Sequence, residues 1–474
     1  MPHRDLRFWI DYLDKVGELE RIDGADWDLE IGGLTGLLCR KAGGPALLFD
    51  RIKGYPEGFR LLTCSMLTPS RVAISLGLPP DTSDKELIGM LRTRVPQWES
   101  SLDKFPPKVV KSGPVLDNVL SGKEVDLLRF PVPIWHEDDG GRYIGTGDAF
   151  ITMDPDTGAV NLGAYRVMVS DARRVTFHIQ PTKDGFAHMA KYHRRGKPCP
   201  VAISVGHHPL LLGIAGHKFP EGTEYRYIGA IAGEPVEVIE EEVTGLPIPA
   251  GSEMVLVGWC PPDGESGPEG PFGEFTGYYG EARRSQFIHI ERVYFRDNPI
   301  ILGAPPGRDP SETSLFGGLL TSVMLENRLR KSGMSGVKGV YTHRISGNFF
   351  ITVSVAQQYA GHARQIGLKL ASERVGGRYV VVVDDDIDVT RIDDVLWAIS
   401  TRSNPERSID ILRYLPTSLL DPAVRKPADA FFTSRAVIDA CRPYEWRKDF
   451  PKVVQFSPEM ELKTRDKWGS TLDL

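Results

Sequence analysis

Two carboxylates lie five residues apart in a segment dominated by glycine and proline, residues 267–280 (GPEGPFGEFTGYYG). They are Glu269 and Glu274. The composition disfavours a helix or a central strand, so we interpret the segment as a loop that approaches a ligand closely and holds both acids at a fixed separation. Such a pair supplies one ionised group and one proton donor when the two environments differ. The competing interpretation is a tight surface turn with both side chains in solvent.

A second candidate segment is residues 161–166 (NLGAYR), which we predict to lie on a strand. Alternation along a strand would put Asn161, Gly163 and Tyr165 on one face. Arg166 would then point to the other face. A guanidinium group binds a carboxylate through two parallel hydrogen bonds, which makes Arg166 a candidate for holding an acidic substrate. The alternative is an ordinary strand arginine paired with a neighbouring glutamate.

The overall composition excludes several functional classes. The chain has 474 residues and a formal net charge of −6, so there is no basic excess to neutralise a nucleic-acid backbone. Its five cysteines are scattered and form no CxxC pair, which indicates reduced thiols and a cytoplasmic protein. The charged N-terminus is unlike a signal peptide, and no apolar run is long enough to cross a membrane. We therefore expect no association with nucleic acid or membrane.

The length predicts more than one domain, and the texture of the sequence changes along the chain. Residues 1–114 combine predicted helices with a buried strand and form an N-terminal αβ segment. In residues 115–312, short apolar runs alternate with glycine and proline turns, which is typical of a split β-barrel. Residues 313–440 have βαβ character and are predicted to form an α/β domain. Residues 441–474 form a tail that we expect to wrap a neighbour or the same chain. The predicted fold class is multi-domain α+β.

These segments and several others together resemble the UbiD family of prenylated-flavin-dependent decarboxylases. The matching stretches are residues 135–148 (WHEDDGGRYIGTGD), 161–166 (NLGAYR), 268–274 (PEGPFGE), 358–363 (QYAGHA), 384–388 (DDDID) and 394–402 (DVLWAISTR). No single stretch would suffice, but their order and spacing cover nearly the whole chain. The resemblance implies that the central region binds the flavin and that the C-terminal α/β domain mediates oligomerisation.

The resemblance also implies roles for individual residues. Arg166, Glu269 and Glu274 would be catalytic: Arg166 would orient the substrate carboxylate, Glu269 would hold Arg166, and Glu274 would protonate the carbon that loses CO2. The implied cofactor-binding residues are Asn161, Leu162, Gly163, Ala164, Tyr165, Arg166, Lys183, Asp184 and Glu224. The implied cofactors are prenylated FMN and a manganese or magnesium ion, with potassium (K+) as a further candidate.

The implied metal ligands are Asn161, Asp184 and Glu224, and one of them departs from the family pattern. Asp184 stands where the family has histidine, 23 residues after Asn161. A carboxylate oxygen still suits manganese or magnesium, although it adds a negative charge beside a phosphate. A second departure is residues 355–359 (VAQQY), where relatives often carry lysines.

The implied function is non-oxidative decarboxylation of a small aromatic or α,β-unsaturated carboxylic acid. We expect a homo-oligomer, either a dimer or a hexamer, whose cofactor is supplied by a flavin prenyltransferase. One alternative is a carboxylase that runs the reverse reaction in a multi-subunit complex. Another is a non-catalytic relative with an assembly role, which Asp184 favours and the complete set of Arg166, Glu269 and Glu274 disfavours. Residues 304–313 (APPGRDPSET) are expected to border the substrate pocket.

Overall fold

The N-terminal region packs helices against a small sheet. The computed structural model describes residues 5–41, 43–308, 311–344, 347–373, 377–418, 420–424 and 432–472. The first elements are α1 (Leu6–Lys15), β1 (Leu19–Asp23), α2 (Glu30–Cys39), β2 (Ala46–Asp50), β3 (Arg60–Thr63), α3 (Pro69–Ser75) and α4 (Asp84–Ser101). Helix α1 buries an apolar face that includes Trp9 and Leu13, as its helical spacing predicts.

Local signals predicted where α4 begins but not where it ends. Ser83 caps the helix by accepting from the Glu86 N–H, and the Glu86 carboxylate accepts from the Ser83 N–H in return. The sequence predicts two helices over residues 70–96, so that the second would end at Pro96, but α4 continues to Ser101. Burial of Trp98 on the turn after the proline accounts for the continuation, because tertiary packing outweighs the local cost of proline.

The central region is built on a ten-stranded sheet. Its elements are β4 (Lys108–Val109), β5 (Asn118–Ser121), β6 (Arg142–Gly145), β7 (Asp148–Met153), β8 (Val160–Gly163), β9 (Val167–Val169), β10 (Arg174–Phe177), α5 (Asp184–Arg194), β11 (Cys199–Val205), α6 (Pro209–Ala215), α7 (Glu224–Ala232), β12 (Glu237–Glu240), β13 (Pro247–Pro249), β14 (Met254–Cys260), β15 (Ser266–Glu269), β16 (Phe272–Gly273), β17 (Tyr279–Gly280), β18 (Arg283–Phe295) and β19 (Ile300–Leu302). The strand order is β6-β9-β10-β18-β14-β11-β7-β8, with β15 and β5 also paired to β18. Within the described ranges no pairing joins β6 to β8, so the sheet is open, as expected for a split barrel.

The predicted strand over residues 161–166 is wrong in one respect that matters for the site. The structure has two strands, β8 and β9, separated at residues 164–166. The Ala164 N–H donates to the carbonyl of Ala215 at the end of α6 instead of to a neighbouring strand. This break takes Arg166 out of the regular strand alternation.

The C-terminal region is an α/β layer. Its elements are α8 (Glu312–Lys331), β20 (Val337–Thr342), β21 (Phe350–Val355), α9 (His362–Ser372), β22 (Tyr379–Asp384), α10 (Ile392–Arg402), α11 (Pro405–Ser408), β23 (Ile409–Pro416), β24 (Phe432–Ala440) and α12 (Pro458–Leu472). The sheet order is β20-β21-β22-β24-β23, and β21, β22 and β24 run parallel. The unit β21-α9-β22 is the βαβ arrangement that the sequence predicted. In the part of the chain that the structure describes, no helix is long and apolar enough to cross a membrane.

The predicted multi-domain αβ fold class is confirmed, but strands are exchanged across the predicted boundaries. Strand β19, from the end of the central region, pairs with β3 in the N-terminal sheet. Strand β4, which precedes the predicted boundary at residue 114, pairs with β12 on the other side of that boundary. The boundaries at residues 114, 312 and 440 therefore stay predictions, and the N-terminal and central regions share part of their framework.

Candidate active site

The segment with the two glutamates forms a hairpin that buries both carboxylates. Glu269 ends β15 and is fully buried, whereas the side chain of Glu274, just after β16, is 13% exposed. Strands β16 and β17 pair, and the Glu274 N–H donates to the carbonyl of Tyr278, 2.9 Å away. The interpretation of this segment as a solvated surface turn is therefore wrong. The hairpin instead holds Glu274 at the start of a tight turn.

Arg166 joins the two glutamates. Its Nε and Nη2 donate to Glu269 Oε1 and Oε2 at 2.7 and 2.8 Å, and its Nη1 donates to Glu274 Oε1 at 2.5 Å. Glycines leave room for this arrangement. A Cβ atom added to Gly280 would lie 2.6 Å from Glu274 Oε1, and one added to Gly270 would lie 3.3 Å from Arg166 Nη2. The glycines of the motif thus allow the backbone to pack directly on the ion pairs.

Tyr143 supports the Glu269 end of the cluster. Its hydroxyl donates to Glu269 Oε1 at 3.3 Å and accepts from the Gly270 N–H at 3.1 Å. Its ring stacks on Phe272 with a centroid distance of 3.8 Å. Burial raises the pKa of Tyr143, so the phenol remains neutral and serves as a donor. Sequence reasoning missed this residue, although it lies within the matching stretch 135–148.

The two glutamates have different electrostatic environments. Burial raises the pKa of Glu274 to about 7; Arg166 and Arg283 oppose this shift, and Glu269 adds to it. Glu269 instead makes a bidentate pair with Arg166. One acid of the pair can therefore carry a proton near neutral pH while the other holds the guanidinium.

A second cluster of predicted site residues forms where β8 meets two helix N-termini. Asn161 lies on β8, while Asp184 and Glu224 are the first residues of α5 and α7. The Tyr165 hydroxyl bonds to the Asn161 side chain and accepts from the Gly185 N–H. The structure thus brings Asn161, Tyr165 and Asp184 together around one point.

The donor set of this cluster fits a hard divalent cation. Asn161 and Glu224 are only 4% and 3% exposed. Glu224 Oε2 is buried without a hydrogen-bond partner among the described residues. Burial raises the pKa of Glu224 to about 8, with a contribution from the nearby Asp184 carboxylate. Buried oxygens that lack a positive partner are a natural site for manganese or magnesium.

The same point also favours a phosphate group. Helices α5 and α7 are 11 and 9 residues long, and their positive N-terminal ends meet there. Lys183 directly precedes α5, and Lys218 Nζ lies 3.9 Å from Asp184 Oδ1. The site therefore offers carboxylates for a metal ion and positive charge for an anion bound to it.

Residues 161–166 connect the two clusters. Leu162 and Gly163 are buried on β8, and Ala164 lies in the break before β9. A Cβ atom at Gly163 would lie 2.2 Å from the ring of Tyr165, so the close approach of that ring requires glycine. A ligand lying along this segment would meet Asn161 at one end and Arg166 at the other.

A further group of possible metal ligands is better explained as ion pairs. His188 Nε2 lies 3.0 Å from Glu221 Oε1 and 3.9 Å from Asp154 Oδ2. Lys191 already bonds to Asp154, so the positive charge that this carboxylate needs comes from the protein. We do not assign a metal to this group.

The predicted pocket-bordering segment contacts the glutamate hairpin. Residues 305–308 line a cavity of about 470 Å³ together with Gly273, Tyr278 and Tyr279. Residues 309 and 310, also part of the predicted border, lie outside the described residues.

The sequence matches the three domains described for the 3-octaprenyl-4-hydroxybenzoate carboxy-lyase (UbiD) family. The N-terminal domain matches residues 10–91, the Rift-related domain residues 108–309 and the C-terminal domain residues 314–440. The pyrrole-2-carboxylic acid decarboxylase of Pseudomonas aeruginosa is 32% identical over 421 residues, covering 85% of this chain and 83% of the relative. A phenolic acid decarboxylase of a Streptomyces species is 31% identical over 491 residues, covering 100% and 98%.

Solved structures share the fold over the whole chain. The open form of the vanillic acid decarboxylase of Sedimentibacter hydroxybenzoicus superposes with a TM-score of 0.86 at 29% identity and covers 100% of both chains. The UbiD-class enzyme HmfF of Pelotomaculum thermopropionicum, in complex with FMN, gives a TM-score of 0.85 at 26% identity and covers 98% of this chain and 99% of that one. The resemblance found in the sequence is confirmed: the chain belongs to the UbiD family of carboxy-lyases.

Proposed function

We propose that the protein catalyses the non-oxidative decarboxylation of an aromatic or α,β-unsaturated carboxylic acid with prenylated FMN. The observation that carries this proposal is the pairing of Arg166 with two glutamates. Glu269 binds the guanidinium group through both carboxylate oxygens, and Glu274, whose pKa is raised, binds it through one. The named relatives act on pyrrole-2-carboxylic and phenolic acids, and HmfF structures contain FMN or prenylated FMN. These relatives support an aromatic acid as the substrate class.

Arg166 binds and orients the substrate carboxylate in this proposal. Loss of CO2 from an sp² carbon leaves an electron pair that side chains cannot delocalise, and prenylated FMN supplies the electron sink when bound. A guanidinium group has five N–H donors, of which three are used on the two glutamates. Two donors thus remain for a carboxylate. Glu269 fixes the plane of the group and therefore the direction of those donors.

Glu274 supplies the proton that replaces CO2. A substrate carboxylate bound at Arg166 competes with Glu274 for the guanidinium and places a second negative charge beside it. Both effects favour the protonated form of Glu274, whose pKa burial has already raised to about 7. Substrate binding therefore prepares the acid that the final step requires.

Asn161, Asp184 and Glu224 would hold a manganese or magnesium ion, which would supply positive charge for the flavin phosphate. The orphaned buried Glu224 Oε2 supports this assignment, and Lys183 and the N-termini of α5 and α7 add positive charge for the phosphate. Oxygen ligands suit these hard ions better than zinc or copper. Potassium remains a further candidate cofactor.

The proposal includes a cytoplasmic homo-oligomer that receives its cofactor from a flavin prenyltransferase. Large apolar side chains of the C-terminal region are exposed, including Trp397 (42%), Ile411 (51%) and Phe456 (73%). Exposed apolar groups of this size are typical of contact surfaces. A structure of HmfF in an evolved dimeric form supports assembly through this fold. Light scattering that gave a single 52.6 kDa species at micromolar concentration would contradict the oligomer.

The function is tested by measuring CO2 release from a panel of aromatic and acrylic acids. The protein is coexpressed with a flavin prenyltransferase and handled without oxygen. We expect release from at least one aromatic acid. Exchange of labelled bicarbonate into the acid, without net release, would favour the carboxylase alternative, since Glu274 would then remove the same proton. Protein that retains no flavin and releases no CO2 would favour a non-catalytic assembly role.

A further inference from the structure

Glu269 contacts a second arginine besides Arg166. Arg283 opens β18 and pairs in register with Glu269 across β15 and β18. Its Nε lies 3.7 Å from Glu269 Oε2, and its side chain is 34% exposed. The fully buried Glu269 carboxylate therefore lies between two guanidinium groups.

His178 holds Arg283 from the opposite side without adding charge. Arg283 Nη1 lies 3.2 Å from His178 Nδ1 and 3.3 Å from Nε2, so it contacts the ring whichever nitrogen carries the proton. The His178 backbone N–H donates to the Arg166 carbonyl at 3.2 Å. Burial, Arg283 and Arg166 lower the pKa of His178 to about 3, so the imidazole is neutral.

The count of charges shows what Arg283 contributes. Two guanidinium groups and an ionised Glu269 leave one net positive charge when Glu274 is protonated. A bound substrate carboxylate neutralises that charge. Without Arg283 the same cluster would be neutral before substrate binds, and the substrate would add an uncompensated charge to a buried site.

We propose that Arg283 is a positioning residue of the carboxylate site, which acts through Glu269 and supplies the positive charge that a bound substrate carboxylate neutralises. This inference rests on the proposed function. The charged groups that face Glu274 are Arg166, Arg283 and Glu269. Tyr143 reaches the cluster through Glu269, and its phenol is neutral. Arg283 lowers the pKa of Glu274, so its removal should raise that pKa.

The first test is a titration of Glu274 by infrared difference spectroscopy on flavin-loaded protein without substrate. The Glu274 carboxyl band is identified by its loss in Glu274→Gln. In Arg283→Gln we expect the pKa of Glu274 to rise by ~1 unit, because a positive charge that lowers this pKa is lost. Arg283→Lys keeps the charge and should titrate like the wild type.

A matched control lies next to Arg283 in the sequence. Arg284 bonds to Ser266 at the other side of β18, so Arg284→Gln should leave the Glu274 titration unchanged. If Arg283→Gln does not fold, His178→Asp places a negative charge against Arg283 and should shift the titration in the same direction. His178→Asn, which adds no charge, should not.

Steady-state kinetics provide the second readout. Glu274 must be protonated to act, so kcat/KM falls at high pH. In Arg283→Gln the pH at which kcat/KM falls should rise by the same ~1 unit. The KM for the acid at neutral pH should rise about tenfold. An Arg283→Gln protein that folds and shows the wild-type titration and KM would overturn the proposal. If the wild type released no CO2 but the titration still shifted, the decarboxylase assignment would fail while the charge role of Arg283 stood.

Discussion

The two clusters of candidate site residues differ in whether other side chains of the protein pair with their buried polar atoms. We call them the Arg166 cluster (Arg166, Glu269 and Glu274) and the Asn161 cluster (Asn161, Asp184 and Glu224). In the Arg166 cluster, both glutamates are paired with the guanidinium at 2.5 to 2.8 Å. In the Asn161 cluster, Glu224 Oε2 is buried with no hydrogen-bond partner in the described ranges. Because an unsatisfied buried polar atom is costly, this arrangement favours the cation that the proposal assigns to the cluster.

This difference separates two tasks. The Arg166 cluster is preorganised by the chain itself, so it can bind a carboxylate and hold a proton at a defined atom. In the proposal, the Asn161 cluster holds a cation and a phosphate, and the chain alone does not complete it. Changes in the first cluster should therefore affect turnover most strongly. Changes in the second should affect retention of the cofactor first.

The largest effect on turnover is expected at Arg166. Arg166→Ala should lower kcat/KM by about 10³-fold or more, because it removes the carboxylate donors. It also removes the bidentate partner of the buried Glu269, and breaking a buried ion pair in this way costs about 3–5 kcal/mol. Arg166→Lys keeps the charge but loses the bidentate geometry, and should lose about 10²-fold. Thermal unfolding distinguishes lost carboxylate binding from lost stability. A stable Arg166→Lys protein with wild-type turnover would contradict the role of Arg166 in binding the substrate carboxylate.

Removal of the metal should release the flavin from the Asn161 cluster and leave the ion pairs of the Arg166 cluster intact. Dialysis against a chelator should release flavin from the protein, measured as flavin absorbance remaining after gel filtration. Glu224→Gln should act in the same direction because it removes a charged ligand. Re-addition of manganese or magnesium should restore retention in the wild type more than in the variant. Full flavin retention without any divalent ion would contradict the assignment of Asn161, Asp184 and Glu224.

The pH dependence of turnover should report the Arg166 cluster. Burial raises the pKa of Glu274 to about 7, so its protonated form predominates below that pH and is lost above it. We expect kcat/KM to fall about tenfold per pH unit on the alkaline side of the transition. A rate that rose through neutral pH would show that an ionised group, and not a protonated Glu274, limits the reaction.

The smallest effect is expected at Asp184, which is partly exposed and 3.9 Å from Lys218. Asp184→His restores the ligand type of the family and should preserve or modestly strengthen flavin retention. Asp184→Asn is the matched variant that removes the charge and keeps the oxygen. Complete loss of flavin from a folded Asp184→His protein would exclude this residue from the metal site.

How much the sequence could predict depended on how local each feature is. Helix α1 and the Ser83–Glu86 capping box follow from residues within one or two turns, and both are present. The break before Arg166 depends on the carbonyl of Ala215 in another element, so no pattern within residues 160–169 could reveal it.

The candidate site shows the same limit. Arg166 and Glu269 are 103 positions apart, and only the resemblance to a family joined them before the structure was known. Arg283 was missed because its contact depends on the register between β15 and β18. That pairing could have been sought by treating the glycine-rich segment as the turn between two strands.

The central claim is that Glu274 delivers the proton that replaces CO2. Its most direct test is net decarboxylation by flavin-loaded Glu274→Gln, with product formed in D2O to follow the proton. Glutamine keeps the shape and can hydrogen-bond to Arg166, so folding and flavin binding should stay near wild type. Product formation should fall by ~10²–10⁴-fold. Glu265→Gln, at a side chain that is 79% exposed, is the control and should retain full activity. Turnover of Glu274→Gln at close to the wild-type rate would contradict the account.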